Sequence, residues 1–324
     1  MTRPQSRPLD GQLRLITRVA RMYHEKGYRQ AEIAESLHIS QAKVSRLLKR
    51  AIEVGIVRTT VMVAPGLCAE LEDELEQKFG ITEAVVVEID EAADERDTIA
   101  AVGAAAAAHL RATLSGDDRV GISTWSQTLM AMVDRMQPLS TRGALSVAQL
   151  LGGIGVAEVQ SHSHRLLGDM ARVLGADAVY VQAPGVVAGR EIRDSLLADQ
   201  GMRDVVRAWK ELTLAVVGIG SIDPTDVLAE SGNAFTDEEL QFLRAEHAVG
   251  DICHRTFRLD GSAVTGHMDD RIIAIESADF LRVPRRIGVA GGPRKIDAIR
   301  GALAGEWVTT LVTDDITARA LLAQ

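Results

Sequence analysis

Residues 30–51, QAEIAESLHISQAKVSRLLKRA, have the form of two short amphipathic helices joined by a tight turn. Apolar residues recur at helical spacing in both halves. Residues 38–39 are short enough for a turn, and Ser40 directly after them is a good N-cap for the second helix. The pattern predicts a helix-turn-helix in which residues 40–51 form the recognition helix.

The outward face of the predicted recognition helix is basic and carries amide groups. In the major groove, Arg and Lys can contact guanine, Gln can contact adenine, and several of these side chains can hold phosphates. An ordinary three-helix domain with a solvated basic face is the alternative. The residues expected to contact DNA are Gln30, Ser40, Gln41, Lys43, Ser45, Arg46, Lys49 and Arg50.

Charge is unevenly distributed along the 324 residues. Residues 1–58 hold 12 Lys and Arg against 5 Asp and Glu, a net charge of +7, whereas the remainder carries −16. A sequence pI near 5.4 argues against nucleic acid, but the local field governs DNA binding. The segregation therefore favours a DNA-binding head on an acidic body.

Composition excludes several classes of protein. The two cysteines, Cys68 and Cys253, are too far apart in sequence for a metal-ligand spacing and too few for a disulfide framework. The longest apolar run, near residues 102–110, is too short to span a bilayer, and the N-terminus has no apolar signal-peptide core. We expect a cytoplasmic protein with no membrane partner, no metal and no cofactor.

Changes in residue pattern along the chain, including a Pro-Gly pair, predict three segments. Residues 1–63 form the DNA-binding domain, in which residues 56–63 are β-branched and are expected to form a strand or wing. Residues 64–80 contain the clearest linker, Pro65–Gly66, and an acidic helix with a narrow apolar stripe. That helix either packs on its own body domain or connects two copies in a dimer. Residues 81–324 form the effector-binding and oligomerisation domain.

From Ile81 onward, short apolar strands alternate with helices, which is typical of a mainly parallel sheet covered on both faces. The fold class is therefore α/β, with a small all-α winged head and a larger Rossmann-like domain. Strands are predicted at 84–89, 119–123, 144–151, 178–182, 214–219, 271–275, 286–290 and 307–313, and helices at 98–114, 129–136, 164–174, 295–303 and 315–322.

Loops rich in Gly, Ser and Thr follow several of these strands. Ligands bind beyond the carboxyl ends of open parallel sheets, and free backbone N–H groups, hydroxyls and a lysine suit an anion or a sugar. A tight strand-to-helix turn is the alternative for each loop, and a surface ion pair with Asp297 or Asp314 is the alternative for Lys295. The candidate effector-binding residues are Ser123, Thr124, Ser126, Gln127, Thr128, Gly152, Gly153, Gly291, Gly292 and Lys295.

Acidic residues near these loops are candidates for sugar hydroxyls, with Asp251 first and Asp223 second. Only one group of residues offers catalytic chemistry: His162, His164 and Asp169, together with Asp251. No nucleophile elbow, Walker loop or zinc motif is present. We therefore assign no catalytic residue.

The motifs in combination resemble the SorC-type sugar-binding transcriptional regulators. The resemblance runs almost from end to end, through the head and STWSQTL, QLLGG, APGVV, GIG, AVGDICHRTFRLDG, VAGGPRKIDAIRGAL and LVTDDITARALL. It implies a helix-turn-helix joined to a body similar to sugar-phosphate isomerases, assembled as a tetramer. It also implies a pocket formed by Thr124, Thr128, Gly291, Gly292 and Lys295, with Asp251 touching the sugar.

One position departs from the family pattern, because Ser126 stands where glycine is common. A side chain there narrows the anion cradle and leaves open whether the effector is phosphorylated. The expected function is transcriptional regulation through operator DNA, controlled by a sugar, polyol or sugar phosphate. The alternatives are a sugar-phosphate isomerase or deaminase with a DNA-binding head, and a constitutive DNA-binding protein whose body only oligomerises.

Overall fold

The computed structural model describes residues 11–58, 68–153, 157–222 and 235–323, without the side chains of 157–162. The chain divides into two compact units, Met1–Ala64 and Pro65–Gln324, called the head and the body below. Each unit has an apolar core of its own. None of the helices in the described ranges is long and apolar enough to cross a bilayer.

The head contains the predicted helix-turn-helix. Three helices, α1 (Gly11–His24), α2 (Gln30–Ser36) and α3 (Gln41–Glu53), surround a core that includes Ile16, Val19, Ile33, Val44 and Leu47. Ser40 is the N-cap of α3, and its Oγ accepts a hydrogen bond of 3.2 Å from the Lys43 backbone N–H. The serine thus satisfies a donor that the first helical turn leaves unpaired.

The predicted wing is described only in part. Residues 56–58 form no strand, and Ile56 and Val57 pack against the head core. Residues 59–63 and the predicted linker Pro65–Gly66 lie outside the described residues.

A seven-stranded parallel sheet forms the centre of the body, as predicted. Its strand order is β1-β10-β9-β5-β2-β3-β4. A second, three-stranded antiparallel sheet has the order β6-β7-β8. The strands are β1 (Glu83–Val87), β2 (Arg119–Ile122), β3 (Ser146–Gln149), β4 (Asp177–Val179), β5 (Leu214–Gly218), β6 (Gly220–Ser221), β7 (Ala248–Ile252), β8 (Arg255–Arg258), β9 (Arg285–Val289) and β10 (Thr310–Asp314).

Helices cover both faces of the large sheet. On the central strand β5, Leu214 and Val216 belong to one apolar cluster while Ala215 and Val217 belong to another, because successive side chains point to opposite faces. The body helices are α4 (Ala69–Phe79), α5 (Glu95–Thr113), α6 (Gln127–Arg135), α7 (Ala157–Leu174), α8 (Arg190–Ala198), α9 (Gln200–Lys210), α10 (Asp237–Ala245), α11 (Ser277–Phe280), α12 (Ile296–Ala304) and α13 (Asp315–Leu322), with short 3₁₀ helices at His267–Arg271 and Pro293–Lys295.

The predicted strand at 271–275 is wrong. A 3₁₀ helix ends at Arg271, and the following apolar residues are buried but pair only through isolated bridges, such as Ala274 with Leu151. The Gly152 N–H donates to the Ile273 carbonyl at 2.8 Å, so loops satisfy this segment in place of a strand ladder. An apolar run signals burial, and burial alone does not establish a strand.

Helix α4 packs on its own body. Leu75 is fully buried, and Leu71 and Phe79 pack against the main apolar cluster. The apolar stripe predicted between residues 67 and 79 therefore packs against the body. This is the first of the two alternatives given for the helix, packing on its own domain.

Polar side chains of α4 close one edge of the large sheet. Strand β1 is outermost, and the carboxylates of Glu76 and Glu72 accept hydrogen bonds of 2.9 Å from the backbone N–H groups of Ala84 and Val86. Lys78 Nζ donates to the last carbonyls of α13, at 3.2 Å to Leu321 and 2.9 Å to Leu322. The edge N–H groups that a further strand would use are therefore engaged.

Candidate ligand-binding site

A cavity of about 150 Å³ opens where β2, β5 and β9 end. These three strands are neighbours in the sheet, and the crevice beyond their carboxyl ends is where such folds bind ligands. Most predicted site residues line it, together with several that were not predicted. The lining residues with polar side chains are Glu95, Ser123, Trp125, Ser126, Gln127, Thr128, Ser221, Asp251, Cys253, His254 and Lys295.

The loop after β2 is held tightly against β5. The Ser123 Oγ accepts a hydrogen bond of 3.0 Å from the Gly218 N–H, and the Ser126 Oγ caps α6 by accepting from the Leu129 N–H at 3.3 Å. A Cβ at Gly218 would lie 2.7 Å from that Ser126 Oγ, so glycine makes room for the serine. Ser126 therefore caps its own helix, and its side chain is also part of the cavity wall.

The first turn of α6 faces the cavity with Gln127 and Thr128. The first N–H groups of a helix have no partner within the helix, and they favour an anion or an acceptor oxygen. This turn therefore presents hydrogen-bond donors to the cavity.

The loop after β9 is fixed by a buried carboxylate. The Gly292 N–H donates to Asp314 Oδ2 at 2.9 Å and to Thr317 Oγ1 at 2.8 Å. A Cβ at Gly291 would lie 2.2 Å from the same Asp314 oxygen, so only glycine fits. Gly291 lines the cavity, whereas the loop at 313–317 supports it from behind.

Lys295 reaches the cavity as the last residue of the 3₁₀ helix Pro293–Lys295, immediately before α12. Burial lowers the pKa of its ammonium group; Asp251 and Glu95 oppose that effect and Arg294 adds to it. Among the described residues no carboxylate lies within ion-pair distance of its Nζ, including Asp297 and Asp314. The lysine is a partly desolvated cation directed at the cavity.

Asp251 lies on β7 directly opposite Gly220 of β6. Its Oδ2 accepts a hydrogen bond of 3.0 Å from the His254 N–H, and a Cβ at Gly220 would lie 2.0 Å from its Oδ1. One carboxylate oxygen thus holds the β7–β8 turn, and the side chain lines the cavity through the space that Gly220 leaves.

Five cavity residues with polar side chains are absent from the predicted set: Glu95, Trp125, Ser221, Cys253 and His254. Cys253 and His254 form the two-residue turn between β7 and β8, with positive φ values of 53° and 61°. Turns of this kind ordinarily use Asn-Gly, so the sequence gives no turn signal here. Burial raises the pKa of the Cys253 thiol and lowers that of the His254 imidazole, although Asp251 opposes the latter shift.

Four predicted site residues lie away from the cavity wall. Thr124 is buried, and its Oγ1 accepts from Gln149 Nε2 at 3.3 Å. Gly152 and Gly153 pair through their N–H groups with the Ile273 and Ala183 carbonyls, and Gly292 is turned towards Asp314. Asp223 lies outside the described residues.

Of the group considered for catalysis, Asp251 lines this cavity, whereas His164 and Asp169 do not. His164 is exposed, with its ring 5.4 Å from that of Tyr180, and Asp169 pairs with Arg172 at 3.0 Å. The side chain of His162 is outside the described residues.

Most side chains predicted to meet DNA lie on the outward face of α3, with Ser40 at its N-cap and Gln30 at the start of α2. Ser40, Gln41, Lys43, Ser45, Arg46, Lys49 and Arg50 are exposed, and Gln30 is half-buried. Arg50 Nη1 pairs with Glu53 at 2.9 Å, while Val44, Leu47 and Leu48 point into the core. The helix therefore presents a basic, solvent-facing surface.

Known proteins resemble the chain along nearly its whole length. The family model "Putative sugar-binding domain" matches residues 64–323. The Sorbitol operon regulator of Klebsiella pneumoniae is 33% identical over 312 residues, covering 96% of this chain and 98% of that protein. The Deoxyribonucleoside regulator of Bacillus subtilis is 32% identical over 308 residues, covering 95% and 97%.

Solved structures agree with the sequence comparisons. The full-length Sorbitol Operon Regulator SorC from Klebsiella pneumoniae superposes with a TM-score of 0.70 at 31% identity, covering 97% of this chain and 100% of that one. A probable sor operon regulator from Shigella flexneri gives 0.71 at 30% identity, covering 78% and 98%.

Proposed function

This chain belongs to the SorC-type sugar-binding transcriptional regulators, and we propose that it exercises this function through two sites, the exposed face of α3 and the cavity beyond β2, β5 and β9. It is a DNA-binding regulator controlled by a small carbohydrate effector. Residues 1–63 are proposed to bind DNA, residues 64–80 to link, and residues 81–324 to bind effector and to oligomerise.

The composition of the cavity carries the effector proposal. Seven of the eleven predicted effector-binding residues line one space: Ser123, Ser126, Gln127, Thr128, Asp251, Gly291 and Lys295. Carboxylates accept hydrogen bonds from sugar hydroxyls, while Lys295 and the start of α6 donate to hydroxyl or phosphate oxygens. About 150 Å³ is well below the range of roughly 300–1,000 Å³ for drug-sized ligands, which favours a small sugar, polyol or sugar phosphate.

Operator release tests the effector proposal. Operator binding of the full-length protein would be titrated with sorbitol, deoxyribose and their phosphate esters, which are chosen after the two named relatives. At least one compound should change operator affinity, and Asp251→Asn should abolish that response while operator affinity without the compound stays unchanged. A panel without any effect would contradict the assignment of this ligand class.

The cavity favours binding over catalysis. Burial raises the pKa of the Cys253 thiol and so disfavours the thiolate, the form that acts as a nucleophile. His254 has no carboxylate hydrogen-bonded to its ring among the described residues, so the pairing that orients a catalytic base is missing from them. Relatives are named regulators, and we assign no catalysis. Purified protein should leave sugar phosphates unchanged.

On α3, base reading and phosphate contact are assigned to different ends. Gln41 lies on the first turn of α3 and Lys49 on its last, and both are exposed. Gln41→Ala should relax base preference at one position of each half-site. Lys49→Ala should weaken binding to all DNA sequences alike and reduce the slope of log affinity against log salt concentration by about one unit. Titrations on operator and scrambled DNA at several salt concentrations decide, and unchanged affinity in both variants would contradict this interface.

We place the regulator in the cytoplasm, with its operator, as a homo-oligomer and specifically a tetramer. One small head covers too little DNA for tight specific binding, so paired heads on a palindromic or repeated operator are expected. Multi-angle light scattering at micromolar concentration is the measurement. A stable monomer that still binds the operator tightly would contradict it.

A further inference from the structure

The three tryptophans of the chain differ in the hydrogen bonding of their indole N–H groups. Trp209 Nε1 donates to the Gln149 carbonyl at 2.7 Å, and Trp307 Nε1 donates to the Gly261 carbonyl at 2.9 Å. Trp125 Nε1 is buried and has no hydrogen-bond partner among the described residues. Buried indole N–H groups ordinarily find a partner, so the exception at the cavity needs an explanation.

The imidazole of His254 shows the same anomaly beside it. His254 is only 4% exposed, and neither Nδ1 nor Nε2 has a partner among the described residues. Its ring lies edge to face with Trp125 at 4.8 Å and with Phe235 at 4.9 Å between centroids. Five side-chain atoms in the described ranges are buried without a partner, and three of them belong to these two cavity residues.

The backbone holds His254 in place at a cost. Cys253 and His254 both adopt left-handed conformations, which are unfavourable for residues other than glycine. The Asp251 carboxylate fixes the turn through the His254 N–H at 3.0 Å. Strain that delivers an unpaired polar ring to a cavity indicates a ligand contact rather than a packing residue.

We propose that Trp125 and His254 are specificity-determining contacts that bind an uncharged, hydroxyl-bearing end of the effector. A neutral imidazole offers one donor and one acceptor, and the indole offers one donor. A hydroxyl group can both accept and donate, so hydroxyls satisfy all three atoms, whereas an anionic oxygen only accepts. The Asp251 carboxylate beside this turn would also repel an anion. The inference rests on the proposed effector function and adds which part of the effector is read here.

Different segments of the chain are expected to bind the two ends of the ligand. Lys295, the one lysine or arginine among the described lining residues, follows β9, whereas Trp125 follows β2 and His254 lies in the β7–β8 turn. A phosphate or further hydroxyl is expected at Lys295, and the neutral carbohydrate hydroxyls at Trp125 and His254.

Calorimetry on the full-length protein tests the inference with sorbitol, sorbitol 6-phosphate, deoxyribose and deoxyribose 5-phosphate as probes. Trp125→Phe and His254→Phe remove the polar atoms and keep aromatic rings. Each variant should bind the probe that binds the wild type about tenfold more weakly or worse. The probe's hydroxyl groups would lose their contacts with water on binding without gaining a hydrogen-bond partner in the protein. Neither variant removes a protein hydrogen bond, so any fall in the unfolding temperature without ligand should come only from the smaller ring at position 125 and stay below that of Trp307→Phe.

Trp307→Phe is the matched control, because it removes an indole N–H that is already paired outside the cavity. It should lower the unfolding temperature and leave probe affinity unchanged. Wild-type affinity in both cavity variants would overturn this inference alone, and so would destabilisation like that of Trp307→Phe. Failure of all four probes to bind the wild type would overturn the proposed effector class and the inference with it.

Discussion

At the scale of single residues, the cavity keeps groups that oppose stability. Lys295 is half-buried with no ion-pair partner among the described residues, and burial lowers the pKa of its ammonium group. Desolvating a charge costs free energy unless it is paired. This cost is consistent with the role proposed for Lys295 in binding the effector.

Lys295→Met should therefore raise stability and remove function. The variant keeps the length of the side chain and deletes the charge, so the unfolding temperature without ligand should rise. Loss of a charge-assisted hydrogen bond of about 1.5–3 kcal/mol should weaken an anionic effector roughly ten- to hundredfold. Scanning calorimetry and titration calorimetry measure the two effects. Arg294→Met, at the exposed neighbouring cation, should change neither, and unchanged effector affinity in Lys295→Met would refute its role.

His254 should make stability depend on pH. Burial lowers its pKa in the folded state below the ordinary value of 6.5, with Arg255 adding to the shift and Asp251 and Glu239 opposing it. Between the folded-state pKa and pH 6.5, His254 is protonated in the unfolded state but neutral in the folded state. The free energy of unfolding therefore falls as the solution is acidified through this range. Urea unfolding at pH 7.5 and 5.5 should show a smaller loss in His254→Phe than in the wild type. His164→Phe, at an exposed histidine, should keep the wild-type loss.

At the scale of elements, the contact between α4 and β1 determines how the sheet ends. Glu72 and Glu76 lie one helical turn apart and reach N–H groups two residues apart on the strand, so helix and strand periods match across the contact. Because the two carboxylates replace the missing neighbour strand, they contribute to stability and keep the edge from pairing with another chain.

The double variant Glu72→Ala, Glu76→Ala should expose that edge. We expect a loss of about 1–3 kcal/mol in the free energy of unfolding, since the two bonds are charge-assisted but partly solvated. Light scattering during mild heating should show earlier aggregation. Glu74→Ala, on the exposed side of the same helix, is the control and should behave like the wild type. Identical aggregation in both variants would exclude protection of the edge by α4.

Elements whose signal is local in sequence were predictable. The head follows from helical spacing and the Ser40 cap, and the parallel sheet follows from apolar runs such as β5. The hairpin β7–β8 was missed because its turn uses Cys253 and His254, which carry no turn signal. Helices α8 and α9 were also not predicted, although α9 buries Met202, Val205 and Trp209 at helical spacing.

The candidate site was predictable to the same extent. Ser123 directly follows β2, Gly291 is the second residue after β9, and Gln127 begins the helix that follows β2, so position in sequence places them at the sheet edge. Thr124 lies between two lining residues, but its hydroxyl accepts a hydrogen bond from Gln149 in the interior; the chain bends at Thr124 and Trp125, so strand alternation does not predict which side chains reach the cavity. His254 reaches the cavity only because the antiparallel sheet folds over the strand ends, a tertiary arrangement that no local pattern encodes.

At the scale of the whole molecule, the two units should be separable. Each has its own core, and no core cluster described mixes residues of the head and the body. A fragment beginning at Pro65 should bind the effector with the affinity of the full chain and should not bind operator DNA. Titration calorimetry and gel shift measure these properties, with circular dichroism as the control for folding. Loss of effector binding in a folded fragment would show that the head completes the site.

Helix α13 is held at both of its ends by different parts of the body. At its start, Asp314 and Thr317 bind the Gly292 N–H of the loop that lines the cavity; at its end, Lys78 of α4 binds its last carbonyls. Its eight residues span about 12 Å. Helix α13 therefore links the glycine loop beside the cavity to α4, the first described helix of the body, so a displacement of that loop by a ligand would act on the packing between α13 and α4.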